Sequence, residues 1–344
     1  MKGVGKRVDF NHIVEKVNRD LEISDEGKIS RAVENLLKEG SLEKVGKLYG
    51  ITKSGSKKFA VKFKKLEKEI EKINKPWLIV YKAKQYYPKV AKTVLEFCRD
   101  RYVGFYCLFT DKRFFRRDFK GRKIVLRNEK DLKFFVGMHC IDIIPCVHRI
   151  NSNRPDWLVI DIDAGPLVSF EQTKEVTEIV FKTFEKFKLN PCLKFSGSRG
   201  FQIWSLIENF EIPKEYEPLK LKGETKREKN YFTLFSDFVR VIQQEVDKEI
   251  PNLTTSDVSR RELRKDKVLL DPSCMKPMGL VRVPYGVHSK TGLVSNPLTL
   301  KELKKFEPSL AEPEVIVKRY ERRGNEFSLK SSNPKKLLEI LLKK

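Results

Sequence analysis

At 344 residues the chain is long for one core and suits two domains, one large and one small. Its 71 Lys and Arg against 47 Asp and Glu leave a net charge of +24, which points to a polyanionic partner, nucleic acid first; growth at high temperature would raise both signs together and explains the density of charge but not its imbalance. No apolar run approaches the ~18 residues of a spanning helix, the amino terminus lacks a signal-like apolar stretch, and six cysteines without a C-x-x-C pair exclude a zinc ribbon or redox motif, so a soluble, intracellular protein with mostly buried, reduced cysteines is expected.

Residues 9–20 and 28–39 carry apolar positions at helical spacing: Phe10, Ile13, Val14 and Val17, then Ile29, Ala32, Val33, Leu36 and Leu37. Gly40 stops the second helix. Ser41 to Thr52 reads as two short strands about a Val45-Gly-Lys turn, and a further helix starts at Thr52. Over about residues 9–75 this order resembles the end of a winged-helix domain, a fold used for DNA or protein contact. Lys53, Lys57, Lys58, Lys62, Lys64 and Lys65 cluster after the wing, as a nucleic-acid face or as a solvated helix. A charged helix over 61–74 ends near Asn74-Lys-Pro76, where a domain boundary is placed.

Trp77 to Tyr81 then reads as a strand and Val90 to Cys98 as a helix. The segment Lys112 to Lys123 interleaves seven basic residues with three phenylalanines. Basic groups supply phosphate contact and rings supply stacking, although the same pattern fits a strand with one wet face. After a strand at Ile141–Ile144 comes Trp157-Leu-Val-Ile-Asp-Ile-Asp163. Side chains two apart on a strand share a face, so Asp161 and Asp163 converge. Two readings stand at this point: a divalent cation between the carboxylates, or solvated aspartates at the mouth of a turn.

Phe170 to Phe187 is an amphipathic helix, and Cys192 to Trp204 a strand and turn. Small residues at Ser196, Gly197, Ser198 and Gly200 allow close backbone approach, and with Arg199 would suit a triphosphate, though a Ser/Gly turn is weak by itself. A lysine-rich connection over 219–229, expected to be mobile, leads to a helix over Tyr231–Ile250. Val268 to Asp271 is a strand closed by a third aspartate. The tail from Lys301 is charged, is helical at Pro334 to Leu342, and packs on the core or meets a partner.

Three segments now match one pattern in order: D-x-D on a strand, S-G-S-R-G on a turn, and Asp271 shortly before Pro284-Tyr-Gly-Val-His-Ser-Lys-Thr-Gly-Leu293. They resemble the archaeal-eukaryotic primase superfamily, the small catalytic primase subunits and the polymerase domain of bacterial end-joining ligases above all, over roughly residues 77–305. The segment from Asn252-Leu-Thr-Thr-Ser through Asp271 to Tyr285 has counterparts there too. The resemblance implies an α+β fold, with mixed and antiparallel sheets, flanking helices and an RRM-like half, beside the small α-rich winged-helix domain. Three parts are then expected: 1–75, a winged-helix-like DNA- or partner-binding domain; 76–305, the catalytic domain; and 306–344, a charged helical tail.

The implied activity is template-directed nucleotidyl transfer to a 3′-hydroxyl with release of pyrophosphate. Asp161, Asp163 and Asp271 would hold two Mg²⁺ or Mn²⁺ ions, and in-line geometry with charge neutralisation would do most of the work. Ser196, Ser198 and Arg199 fall where the family cradles the incoming nucleotide's phosphates. His288, Arg282 and Lys290 lie where it places a further basic contact, and Arg117 is carried over near the nucleotide. Implied partners are a DNA template and primer, an NTP or dNTP, and a second primase subunit or another replication or repair protein, with no membrane.

The chain departs from the family in places. Gln202 stands where the second motif usually ends in histidine, and can donate a hydrogen bond to phosphate but carry no charge. Ile144 stands where end-joining relatives commonly have histidine, and the zinc cluster of many primase subunits is absent. Weakened triphosphate binding is the expected consequence. The alternative function is therefore a catalytically weak relative that binds nucleic acid or a replication partner; a winged-helix regulator with an inert second domain would leave the aspartates unexplained.

Overall fold

The structure, a computed structural model, describes residues 7–21, 25–55, 57, 75–109, 112–208, 210–221, 226–258 and 264–343. The expected helix over 61–74, Lys58, Lys62, Lys64 and Lys65, and the middle of the 219–229 connection lie outside these residues. The chain divides into two compact units, one up to Leu78 and one from Ile79.

The first unit holds strand β1 (Val8–Asp9), helices α1 (Phe10–Leu21) and α2 (Glu26–Lys38), and strands β2 (Leu42–Val45) and β3 (Leu48–Ile51). Asp25 starts α2 by accepting from the Lys28 N–H, as an N-cap carboxylate does. The strands form an antiparallel sheet in the order β1-β3-β2. Val14, Ile29 and Val33 make its small core, with Phe10, Ile13 and Tyr49 packed on it. The expected helix–helix–hairpin order is present; β1 is an addition too short to leave an alternating pattern.

Helix α3 runs over Lys75–Cys98, most of it in the second unit, so Trp77 to Tyr81 is helical and the expected strand there is corrected. Ile79, Ala83, Tyr86, Val90, Val94 and Phe97 are all buried, a spacing of three or four that holds one helical face through Pro88. The apolar run at 77–81 looked strand-like by itself; its continuation through Ala83 and Tyr86 is what shows the helical spacing.

Strands β4 (Val103–Phe109), β5 (Lys112–Arg116) and β8 (Cys140–Pro145) form an antiparallel sheet in the order β5-β4-β8. A small hairpin of β6 (Asp118–Phe119) and β7 (Arg122–Lys123) and helix α4 (Glu129–Gly137) fill the connection. The larger sheet runs β12-β13-β9-β11-β10-β14, from β12 (Thr254–Thr255), β13 (Val268–Asp271), β9 (Trp157–Ala164), β11 (Phe201–Ile207) and β10 (Cys192–Phe195) to β14 (Pro297–Leu298). β15 (Ser331–Ser332) adds to β11 in parallel. Helices α5 (Phe170–Lys186), whose Ser169 and Gln172 form a capping box, and α6 (Tyr231–Glu249) pack on this sheet.

The chain beyond residue 306 belongs to the same core. Helices α7 (Leu300–Lys304), α8 (Pro313–Arg323) and α9 (Lys335–Leu341) follow β14, and Phe306, Ile316, Phe327 and Leu337 are buried in the main cluster. The whole is α+β, as the resemblance implied. Four cysteines are buried, Cys192 and Cys274 are half-buried, and all six are free. Among the described residues no helix is long and apolar enough to cross a membrane.

Candidate active site

Central strand β9 pairs antiparallel with β11 on one side and β13 on the other. The register sets Asp161 directly opposite Gln202 in β11 and opposite Asp271 in β13. One row across three strands therefore reads Asp271, Asp161, Gln202, and Asp163 lies two residues along β9 on the same face. Lys194 of β10 extends the row beyond Gln202. Asp271, more than a hundred residues beyond Asp161 and Asp163 in sequence, is their neighbour because β13 returns beside β9.

Crowding these carboxylates is electrostatically costly. Burial, then Asp163 and Asp271, push the Asp161 carboxyl up to about 8, against the opposing effects of a hydrogen bond from Gln202 and the charge of Arg282. Burial and Asp271 raise Asp163 as well, with Arg199 pulling it down. Asp161 Oδ1 is buried without a hydrogen-bond partner, an arrangement that a cation would relieve. Three carboxylates are the hard oxygen donors that Mg²⁺ or Mn²⁺ takes. Among the described residues, however, no group of three or more His, Cys, Asp or Glu side chains is gathered in metal-holding geometry. The donor chemistry fits; the carboxylates share a row and not yet a point.

Two cavities adjoin this row and share Asp271 and Ser273. One, of about 730 Å³, is lined by Asp163, Arg199, Lys290, Arg264, Lys265 and Lys267 among others. The second, of about 430 Å³, is lined by Asp161, Gln202, Arg117, Arg282, Phe115 and Ile144 among others. Of the expected nucleotide contacts, Arg199 and Lys290 thus join the first cavity, and Arg117, Arg282 and Gln202 the second.

Ser196 and Ser198 belong to the turn between β10 and β11. The Ser196 N–H donates to Gly200 O at 3.0 Å, closing the turn. Gly197 has φ +91° and its missing Cβ would come within 2.8 Å of His288 Cβ; a Cβ on Gly200 would meet the Ile162 carbonyl at 2.0 Å. Both positions require glycine for close approach. Ser198 is half-buried and Arg199 exposed, whereas Ser196 is buried.

The turn is held from below. Arg282 donates Nη1 to Ser196 O at 2.8 Å, while its Nε and Nη2 form a forked pair with Asp142 at 2.7 and 2.9 Å. Asp142 also accepts from the N–H and Oγ of Ser289. Burial would raise the Asp142 pKa, but the Arg282 charge and hydrogen bonds outweigh it and hold the carboxyl below its ordinary value. Arg282 is therefore largely committed to the protein. Thr291 donates Oγ1 to Gly197 O, which ties the Tyr285–Leu293 segment to the turn. Burial and the Arg282 charge push His288 down to about 3, so at neutral pH it offers a hydrogen bond and no charge. Its Nδ1 accepts from the Lys290 N–H at 3.2 Å, leaving Nε2 as the N–H.

The sequence of residues 112–327 matches the family described as LigD, primase-polymerase domain. The chain belongs to that family. No curated protein matches it in sequence. Among solved structures, the polymerase domain from Mycobacterium tuberculosis ligase D, in complex with DNA, is similar at a TM-score of 0.60 and 18% identity, over 71% of this chain and 89% of that one. At that identity the likeness is one of fold.

Sequence reasoning did not single out Asp142, Lys194 or the basic group Arg264, Lys265 and Lys267. Asp142 was hidden in an apolar strand whose charge partner is Arg282, far along the chain. The basic group could have been found, since it immediately precedes the strand that delivers Asp271. On β5 the phenylalanines do not form one buried face: Phe114 and Phe115 are each 39% exposed, with Arg116 over the first ring and Arg117 over the second.

Proposed function

We propose that the second unit is a metal-dependent, template-directed nucleotidyltransferase of the primase-polymerase kind. The observation that carries this reading is the row Asp271, Asp161 with Asp163 beside it, one buried oxygen unpartnered, opening on cavities lined by basic side chains. Asp161, Asp163 and Asp271 would hold two Mg²⁺ or Mn²⁺ ions. Bound there, the ions would activate a 3′-hydroxyl and neutralise the charge on triphosphate and leaving pyrophosphate.

The chain's own residues supply position and charge. Ser198, Arg199 and the backbone of the 196–200 turn would receive the triphosphate, with Lys290 completing the cationic side of the larger cavity. Arg282 acts mainly by fixing Ser196, and His288 by an uncharged hydrogen bond. Gln202 orients Asp161. Arg117 and the exposed ring of Phe115 line the smaller cavity, where a base or a template nucleotide would stack. The first unit, with its two helices and hairpin, supports a winged-helix role in DNA or partner contact.

A second reading, a relative that binds nucleic acid and catalyses little, is favoured by one observation: the uncharged pair His288 and Gln202 beside the phosphate turn. The deciding experiment incubates the protein with primed and unprimed template, Mn²⁺ or Mg²⁺ and labelled nucleotides, beside an Asp161→Ala/Asp163→Ala control. Incorporation by wild type and none by the control is expected. Binding of template without incorporation under either metal would leave the second reading standing.

A further inference from the structure

Past the β14 edge of the larger sheet, between α7 and α8, lies a groove of about 880 Å³ that nucleotidyl transfer does not use. Its lining includes the exposed apolar side chains of Leu310 and Val315. Its rim is cationic. Arg319 and Arg323 are held by Glu302 and Glu326, and Lys304 lies 3.6 Å from Glu178. Lys301, Lys305, Lys318 and Arg322 line the same groove, are exposed, and make no ion pair among the described residues.

A second feature points to a ligand. Asn296 lines the groove although it is 1% exposed, and its Oδ1 is buried with no hydrogen-bond partner. Leaving such an acceptor unpaired is costly. An occupant that satisfies the groove must bring negative charge for four cations and an N–H for one amide oxygen. A free phosphate brings only the first. A single strand of nucleic acid brings both, since its unpaired bases expose N–H groups while its backbone carries the phosphates.

We infer that this groove binds single-stranded nucleic acid, with Lys301, Lys305, Lys318 and Arg322 on the backbone and Asn296 Oδ1 on a base. The excess of basic residues over the whole chain favours this occupant over an acidic peptide.

The test measures binding of fluorescent oligothymidylates, one short and one several times longer, by the full chain over a range of salt. In the Lys301→Glu/Lys318→Glu/Arg322→Glu variant the long strand should bind about tenfold more weakly or worse. Its salt slope should be shallower by about two, which is three lost contacts at ~0.7 each. Asn296→Leu should weaken oligothymidylate but not inorganic polyphosphate, which carries charge without N–H groups. Unchanged long-strand affinity and slope in the triple variant would overturn the inference. So would poly-glutamate that occupies the groove and resists displacement by the long strand, which would assign an acidic peptide instead. The carboxylate row is intact in these variants, so failure of nucleotide incorporation would leave this result unaffected.

Discussion

Gln202 stands directly opposite Asp161, and Trp204 fixes which end of its amide faces the carboxylate. The indole Nε1–H donates to Gln202 Oε1 at 3.2 Å, so the NH₂ group is the end left for Asp161. A residue that looked like a lost phosphate ligand is thereby a donor to the central aspartate, buried at 3% exposure. Gln202→Ala should leave both the indole N–H and the carboxylate short of a partner, lowering stability by ~1–3 kcal/mol and lowering incorporation. Gln202→His keeps an acceptor for Trp204 and a donor for Asp161, and should retain or exceed wild-type incorporation. Primer extension and urea denaturation of the two variants, side by side, check this.

The carboxylate row should trade stability for function. Asp161→Asn replaces a carboxyl whose ionisation is opposed by burial, Asp163 and Asp271, and supplies an amide where Oδ1 has no partner. We expect a higher melting temperature, about 2–4 °C for each kcal/mol relieved, together with a loss of incorporation of about a hundredfold or more, near 3 kcal/mol. Mn²⁺ should raise the melting temperature of wild type and not of the variant. A variant that melts lower than wild type would show that the crowding is not stored strain.

How much of this was legible in the sequence depends on how far apart the partners lie. The strands that end in Asp163 and Asp271 carry their own boundaries, an apolar run stopped by a carboxylate, and the motif order gave the family. The helix at 75–98 was half missed because Pro88 and a five-residue apolar run mimic a strand and its end. Asp142 could not be found from its neighbours at all, since only the approach of the segment bearing Arg282 to β8 shows why an aspartate is tolerated there. Register, too, is a property of the folded sheet: no local pattern says that Gln202 faces Asp161.

Asp142 is 0% exposed and its forked pair with Arg282 is joined by two bonds from Ser289. Arg282→Met leaves that carboxylate buried and uncompensated and should cost ~3–5 kcal/mol. Asp142→Asn should cost a comparable amount, and the double variant clearly less than the sum, because neither charge is then stranded. Because Arg282 also holds the Ser196 carbonyl, each variant should raise the apparent KM for nucleotide. Additive losses in a denaturation cycle would contradict the pairing.

His288 is 8% exposed and faces Arg282, Asp142, Arg113 and Lys290. Its folded pKa, about 3, lies below the ordinary 6.5, so between those values the unfolded chain takes up a proton that the folded chain refuses. Its contribution is therefore complete above about pH 6.5 and is lost as pH falls towards 3, with a limiting slope of ~1.4 kcal/mol per pH unit. Asp142, whose pKa is depressed, keeps its contribution down to the ordinary carboxylate value of 3.8 and loses it below that. Asp161 works the other way, since its raised pKa makes acidification from about 8 favourable to the fold. The histidine is isolated by difference: His288→Asn keeps an acceptor for the Lys290 N–H but cannot titrate. Relative to wild type, that variant should gain stability steadily as pH is lowered from 6 to 4, by about 1–3 kcal/mol in all. Urea denaturation across this range gives the difference directly, and parallel curves for the two proteins would mean that His288 is protonated in the fold.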